Sequence, residues 1–226
     1  MFLHYALDLW VHWWRQRHAT GEVIIVRYAD DFVVGFQHRR EAERFLAALR
    51  DRMHKFGLNL HPQKTRLIEF GRFAAENRLR RGEGKPETFD FLGFTHICAR
   101  TRLNRVFTIR RKTISKRLRA KLLEIKQTLM ARRHAPIPQV GRWLQAVVRG
   151  YYNYHAIPGN SAALETFQRE VTRLWLHALR RRSQRHRLPW TRYRKIARRW
   201  IPRPRILHPY PHDRFVANTR GRSRMR

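Results

Sequence analysis

One cysteine, Cys98, stands in a chain of 226 residues. A disulfide framework and a cysteine-based zinc site are therefore both excluded. Long apolar runs are also missing: Val23–Val26 and Phe32–Phe36 are the best available, far short of the ~20 residues that cross a bilayer. The apolar opening from Phe2 to Trp14 lacks a basic flank and a small-residue cleavage site and carries Asp8, so it does not read as a secretory signal. A cytoplasmic, reducing compartment is expected. Acidic residues are scarce, 16 against 50 Lys+Arg, for a net charge of +34. None lies between Glu124 and Glu165, or between Glu170 and Asp213. There is no internal repeat.

What is present is a foldable composition, with 42% hydrophobic and 12% aromatic residues. That is too apolar for a disordered basic tail, while the charge opposes compaction unless a polyanion compensates it. Nucleic acid is the default partner. The charge is unevenly placed. Residues 1–100 hold 17 basic and 12 acidic side chains, residues 101–226 hold 33 and 4. Arginine outnumbers lysine 42 to 8, which fits a GC-rich gene as well as bidentate phosphate contacts.

Helical spacing of Phe2, Ala6, Leu9, Trp10, Trp13 and Trp14 predicts a helix to about Arg17, stopped by Thr20-Gly21. Strands are expected over Glu22–Tyr28 and Phe32–Gln37, with Ala29-Asp30-Asp31 as the break of a hairpin. An amphipathic helix over 40–56 closes at Gly57. Short strands are expected around 67–70, 89–96 and 106–110, with a charged loop over 72–88. Helices are expected over 113–133, 139–155, 160–183 and 191–200, punctuated by prolines, and an extended segment over 201–211 with four prolines.

Asp30-Asp31 interrupts runs of Val, Ile and Phe. Adjacent carboxylates repel one another unless a cation sits with them, and Mg²⁺ suits them because it takes hard oxygen ligands and keeps positions open for phosphate. Two such ions about 4 Å apart stabilise the attacking and leaving oxygens of phosphoryl transfer. Asp-Asp is also good turn chemistry, and on the dipeptide alone the plain turn is the favoured reading. His96 and Cys98 have no second pair at metal spacing and read as strand residues. Trp143, Val147, Tyr151 and Tyr154 share a helical face and serve either a core or stacking on unpaired bases. From Arg180 to Arg205 there are 12 Lys/Arg and no acid, interleaved with Leu188, Trp190, Tyr193, Ile196, Trp200 and Ile201, a pattern with an apolar inner and a cationic outer face.

The order of motifs around the dyad adds a resemblance. Tyr28-Ala-Asp-Asp31 is followed by a helix, by Gly57-Leu-Asn-Leu60 with Lys64-Thr65, and by Phe89-Asp-Phe-Leu-Gly-Phe94. Then come Gly141-Arg-Trp-Leu144, Gly150-Tyr-Tyr-Asn-Tyr154, Ile157-Pro-Gly-Asn160, Leu179-Arg-Arg-Arg-Ser183 and Pro204-Arg-Ile-Leu-His-Pro209. The chain resembles group II intron reverse transcriptases/maturases over essentially its whole length.

The resemblance implies an α+β chain. Residues 1–110 would be a truncated palm (β-hairpin, helix, short antiparallel strands). Residues 111–226 would be an all-helical thumb and maturase (domain X) region that binds RNA and ends in a basic, Pro-rich tail. It implies Asp30 and Asp31 as catalytic Mg²⁺ ligands, with Tyr28, Ala29, Lys64, Leu92 and Gly93 beside nucleotide and primer. Gly93 would allow close backbone approach, or mark a bulge. The expected RNA-binding residues are Lys112, Lys116, Arg117, Arg119 and Lys121 on helix 113–133, and Arg180, Arg181, Arg182, Arg185 and Arg187.

Family members carry a third carboxylate and a Pro-Gln-Gly-Gly turn upstream, together with template-gripping fingers; this sequence opens after them, and Asp8 on a helix is no substitute. The expectation is a fragment that binds intron RNA to assist splicing within a bacterial ribonucleoprotein and does not synthesise DNA alone. A DNA target or primer is a further partner, as is a polypeptide carrying the missing half, or self-association through the aromatic helix Phe2–Trp14; a membrane is not. The alternatives are a split or mis-started polymerase and a generic basic RNA-binding protein.

Overall fold

The computed structural model describes residues 2–101, 104–183 and 188–210. Helices and antiparallel strands are both present, and the chain divides into two compact units, Met1–Phe70 and Gly71–Arg226. No helix among the described residues is long and apolar enough to cross a membrane.

The first unit opens on a π-helical turn, His4–Asp8, running into α1, Leu9–His18. Here the sequence expectation of one regular helix needs correction. The Leu9 amide donates to the His4 carbonyl, five residues back. The wider turn leaves backbone carbonyls to be satisfied, and the Arg52 guanidinium donates to those of Ala6 (3.2 Å) and Tyr5 (3.4 Å). Strands β1 (Val23–Tyr28) and β2 (Asp31–Phe36) pair antiparallel from Val23↔Phe36 to Tyr28↔Asp31.

Helix α2, Arg39–Lys55, buries Ala42, Phe45, Leu49 and Met53 on the stripe that a 3.6-residue period creates. Gly57, at φ +67°, ends it, with Gly57 N–H on the His54 carbonyl and Leu58 N–H on that of Met53, the Schellman pattern. Phe45, Leu49 and Met53 pack with Ala6, Leu7, Val11, Trp14 and Val23, and the Trp14 and Phe45 rings meet edge-on at 5.0 Å. The buried Glu41 accepts from the Thr20 hydroxyl (2.6 Å) and amide (2.7 Å) and the Gly21 amide (3.3 Å). These bonds hold its carboxyl below the usual range and tie the α1–β1 link to the first turn of α2.

Residues 67–70, expected as a strand, form none. An extended segment becomes a strand only by pairing, and the sheet of this unit has two strands, β1 and β2.

In the second unit the expected charged loop contains α3, Ala74–Arg80. Ala, Glu, Arg and Leu are good helix formers, and Glu76 and Arg80 pair one turn apart at 2.6 Å. The strand expected over 89–96 is two strands, β3 (Phe89–Phe91) and β4 (Phe94–Arg100), which with β5 (Phe107–Thr113) make an antiparallel sheet in the order β3-β4-β5. Leu92 (φ +48°) and Gly93 (φ +81°) form the hairpin loop, and positive φ at both central residues defines a type I′ turn.

Four helices follow: α4 (Ser115–Ala131), α5 (Ile137–His155), α6 (Ser161–Arg180) and α7 (Trp190–Trp200). The change from strand to helix falls close to the expected residue 110, but β3–β5 share a compact unit with the helices. The core is theirs: Leu144 and Val148 of α5, Phe167, Val171 and Trp175 of α6, and Tyr193 of α7 are each at most 1% exposed. Tyr151 and Phe167 stack at 3.7 Å. Gly141 is required by a close approach, because a Cβ there would lie 2.5 Å from the Trp200 ring. Buried Asn160 accepts from the Thr113 amide (3.0 Å) and donates to the Thr113 hydroxyl and the His155 carbonyl (both 2.8 Å). Over its described residues, 201–210, the Pro-rich segment forms neither helix nor strand, and its Leu207 and His208 amides donate to the Ala156 carbonyl.

Candidate functional site

The β1–β2 register makes Ala29 and Asp30 a two-residue hairpin loop, so Asp31 belongs to β2 and not to the break. Of the two loop residues only Ala29 has positive φ, +56°, which is the type II′ arrangement, normally given to glycine. Asp30 and Asp31 are both exposed. Tyr28, 66% exposed, projects from the same strand face as Ile24 (62%) and Val26 (51%).

The opposite face of β1 carries Arg27 towards the first helix. Its Nε and Nη2 grip the two Asp8 oxygens at 2.7 and 2.5 Å, while Nη1 donates to the Ala29 carbonyl at 2.8 Å. The hydrogen bonds from Arg27 hold the Asp8 carboxyl below its ordinary range. Asp8 is thereby committed to bracing the turn and is not free to join the dyad. No cluster of three or more potential metal-binding side chains occurs among the described residues. Asp30 and Asp31 offer hard carboxylate oxygens of the kind Mg²⁺ takes, one from the loop and one from the first residue of β2. The further carboxylate that a two-ion centre uses is not among them. Lys64 is exposed in a turn where its amide and that of Thr65 both donate to the His61 carbonyl.

Leu92 and Gly93 lie in the second unit, on the β3–β4 turn. The Tyr154 hydroxyl donates to the Leu92 carbonyl at 2.7 Å and its ring stacks on Phe94 at 5.7 Å. A Cβ on Gly93 would come within 3.1 Å of Arg117 Nη1 and 3.5 Å of Tyr154. The structure thus brings this turn to Arg117 of α4, and Gly93 is a turn residue permitting close approach, not a bulge.

Of the residues expected on helix 113–133, Lys116, Arg117 and Arg119 are exposed on α4 and Lys121 pairs with Glu124 at 2.8 Å. Lys112 is a correction: it lies on β5 opposite Thr95, because the ladder with β4 runs on to Thr113. Arg180 and Arg181 are exposed at the end of α6, with Arg180 Nε donating to the Leu188 carbonyl at 3.2 Å. Arg182 is half-buried and donates to the Ala135 carbonyl at 2.8 Å. Arg185 and Arg187 lie outside the described residues. Helix α7 has the anticipated two faces: Tyr193 and Ala197 are buried, and Arg192, Arg194, Lys195 and Arg198 are exposed.

Arg27 was not singled out from the sequence, although a signal for it exists. Alternation along Val23, Ile25 and Arg27 puts a cation on the inward face, where it needs an acid partner. Asp8 within an apolar helix is that acid.

Residues 2–96 match the family model of reverse transcriptase (RNA-dependent DNA polymerase). The matched stretch runs from the first helix through the dyad hairpin into β4, and it carries RNA-directed DNA polymerase ancestry into this chain. No curated protein matches the chain.

Proposed function

We propose that this chain is part of a group II intron reverse transcriptase/maturase that binds structured intron RNA and assists its splicing. The observation that carries the reading is the sequel to the matched stretch. A reverse-transcriptase-like segment is followed by a helical bundle whose last helix turns Arg192, Arg194, Lys195 and Arg198 outward. Phosphate contacts supply affinity, and the folded shape of the RNA supplies selection. Arg117, beside the Leu92–Gly93 turn, would sit where a primer strand passes. The chain works within a cytoplasmic ribonucleoprotein, and Asp30 and Asp31 of the first unit are its Mg²⁺ ligands.

The test is binding of a folded group II intron RNA against an unfolded RNA of equal length, for the chain and for the triple variant Arg194→Ala, Lys195→Ala, Arg198→Ala. Each lost phosphate contact lowers the slope of log affinity against log salt by about 1, so a drop of about 2 to 3 is expected, with folded intron RNA preferred. An unchanged slope, or equal affinity for both RNAs, removes the reading.

The dyad turn favours a second reading, DNA synthesis once a further carboxylate and template-gripping elements join. In that state bound Mg²⁺ would supply charge neutralisation at the transferred phosphoryl group. Asp30 and Asp31 would hold it, Arg27 and Asp8 would fix the turn, and Tyr28, Ala29 and Lys64 would line the nucleotide's path.

A further inference from the structure

The first unit has a second feature, separate from the dyad turn. A groove of about 800 Å³ lies between the first helix and α2. Along one wall stand Tyr5, Leu9 and Trp13, which are 60%, 49% and 41% exposed. Arg44 and Lys55 stand on the other, both exposed, with Asp51 as the one acid in the lining. Arg52 shapes the floor: its guanidinium donates to the Ala6 and Tyr5 carbonyls and lies 4.5 Å over the Phe56 ring.

We propose that this groove docks single-stranded nucleic acid, with bases stacking on Trp13 and Tyr5 and phosphates meeting Arg44 and Lys55. Exposed rings beside free cations are the chemistry that single strands use, since every base offers a π-face and every linkage a charge. A duplex keeps its bases stacked inside and cannot use the rings. An apolar protein helix would use the rings, but it would desolvate Arg44 and Lys55 without partners, at a cost. From Tyr5 to Trp13 the helix rises about 12 Å, room for roughly two or three nucleotides. The inference does not depend on the maturase reading, because every residue in it lies in the first unit.

The test uses the full chain and 12-nucleotide oligouridylate and oligodeoxyuridylate carrying 5-iodouridine or its deoxy form, photocrosslinked and mapped by peptide. Crosslinks are expected on the peptides bearing Tyr5 and Trp13 with both oligonucleotides. Arg44→Glu with Lys55→Glu should cut these crosslinks at least ten-fold and leave those on α4 and α7 in place. Trp13→Ala should cut the Tyr5 crosslink by about ten-fold, the scale of one base stack, while Trp13→Phe, which keeps a ring, should retain most of it. The triple substitution on α7 should not change it. Absence of crosslinks on these peptides, or crosslinks indifferent to charge reversal, overturns the proposal. So does a dimer in solution that Trp13→Ala dissociates, since the groove would then be filled by a second copy.

Discussion

Residues 1–70 carry 11 basic and 8 acidic side chains, whereas residues 71–226 carry 39 and 8. The two units differ as much in how they bury apolar surface. In the first, a small core under α1 and α2 supports a two-stranded hairpin whose other face leaves Ile24, Val26 and Tyr28 more than half exposed. In the second, α4–α7 close around Phe167, Trp175 and Tyr193. A two-stranded hairpin is marginal by itself, and self-repulsion among the second unit's cations needs strong apolar packing to offset it. The difference teaches that the second unit puts its robustness in the core and its cations on the surface. The first presents its adjacent carboxylates on a hairpin turn braced by Arg27 and Asp8.

The hardest test of that contrast is Phe167→Ala. Phe167 is fully buried and stacks on Tyr151 at 3.7 Å, and truncating such a ring costs about 3–5 kcal/mol. Hydrogen exchange should show the amides of α4–α7 losing protection by that amount while those of β1 and α2 keep theirs. Equal loss in both units would show one cooperative block and end the comparison.

Legibility followed the same line. The four late helices were readable because their apolar period is long and prolines mark their ends, as at Pro136, Pro158 and Pro189. The dyad hairpin was readable because a polar break between β-branched runs is a local signal. The misses are non-local or masked. Residues 67–70 look like a strand, but no pattern within them reveals whether a partner exists. Ala74–Arg80 is helical through propensity that its dense charge obscured. The Leu92–Gly93 turn joins Tyr154 and Arg117 across 62 residues or fewer of chain, and Arg27 finds Asp8 19 residues away. Such pairings follow from folding and leave only an indirect trace, a cation on an inward strand position.

A second contrast is acid sensitivity. Burial, and secondarily the Arg117 charge, push the His155 imidazole from 6.5 down to about 4. The unfolded chain takes up this proton near pH 6.5, whereas the native unit resists it until about pH 4. Unfolding therefore binds a proton in that window, and stability must fall as pH drops through it, by less than the full shift implies because solvent reaches part of the ring. His96, also lowered by burial, acts in the same direction. Urea midpoints of His155→Gln between pH 7 and pH 4 should show a reduced but not abolished slope. A slope identical to that of the parent chain would mean that His155 is not a source of the sensitivity.

The smallest expected effect concerns the turn itself. Ala29 sits at φ +56°, a conformation that costs an L-residue roughly 1–2 kcal/mol, at the loop position where type II′ turns favour glycine. Glycine would relieve that strain but lose about 0.5–1 kcal/mol more backbone entropy on folding. Ala29→Gly should therefore stabilise the first unit slightly, by about 0.5–1 kcal/mol, read as slower exchange of the β1 and β2 amides with no change in α5 or α6. The sign matters more than the size. Strain at a turn persists only where its surroundings over-determine it, and here the Arg27 guanidinium holds the Ala29 carbonyl while anchored on Asp8. If Ala29→Gly instead left exchange unchanged or made it faster, the turn would be relaxed as it stands, and Arg27 would be bracing Asp8 alone.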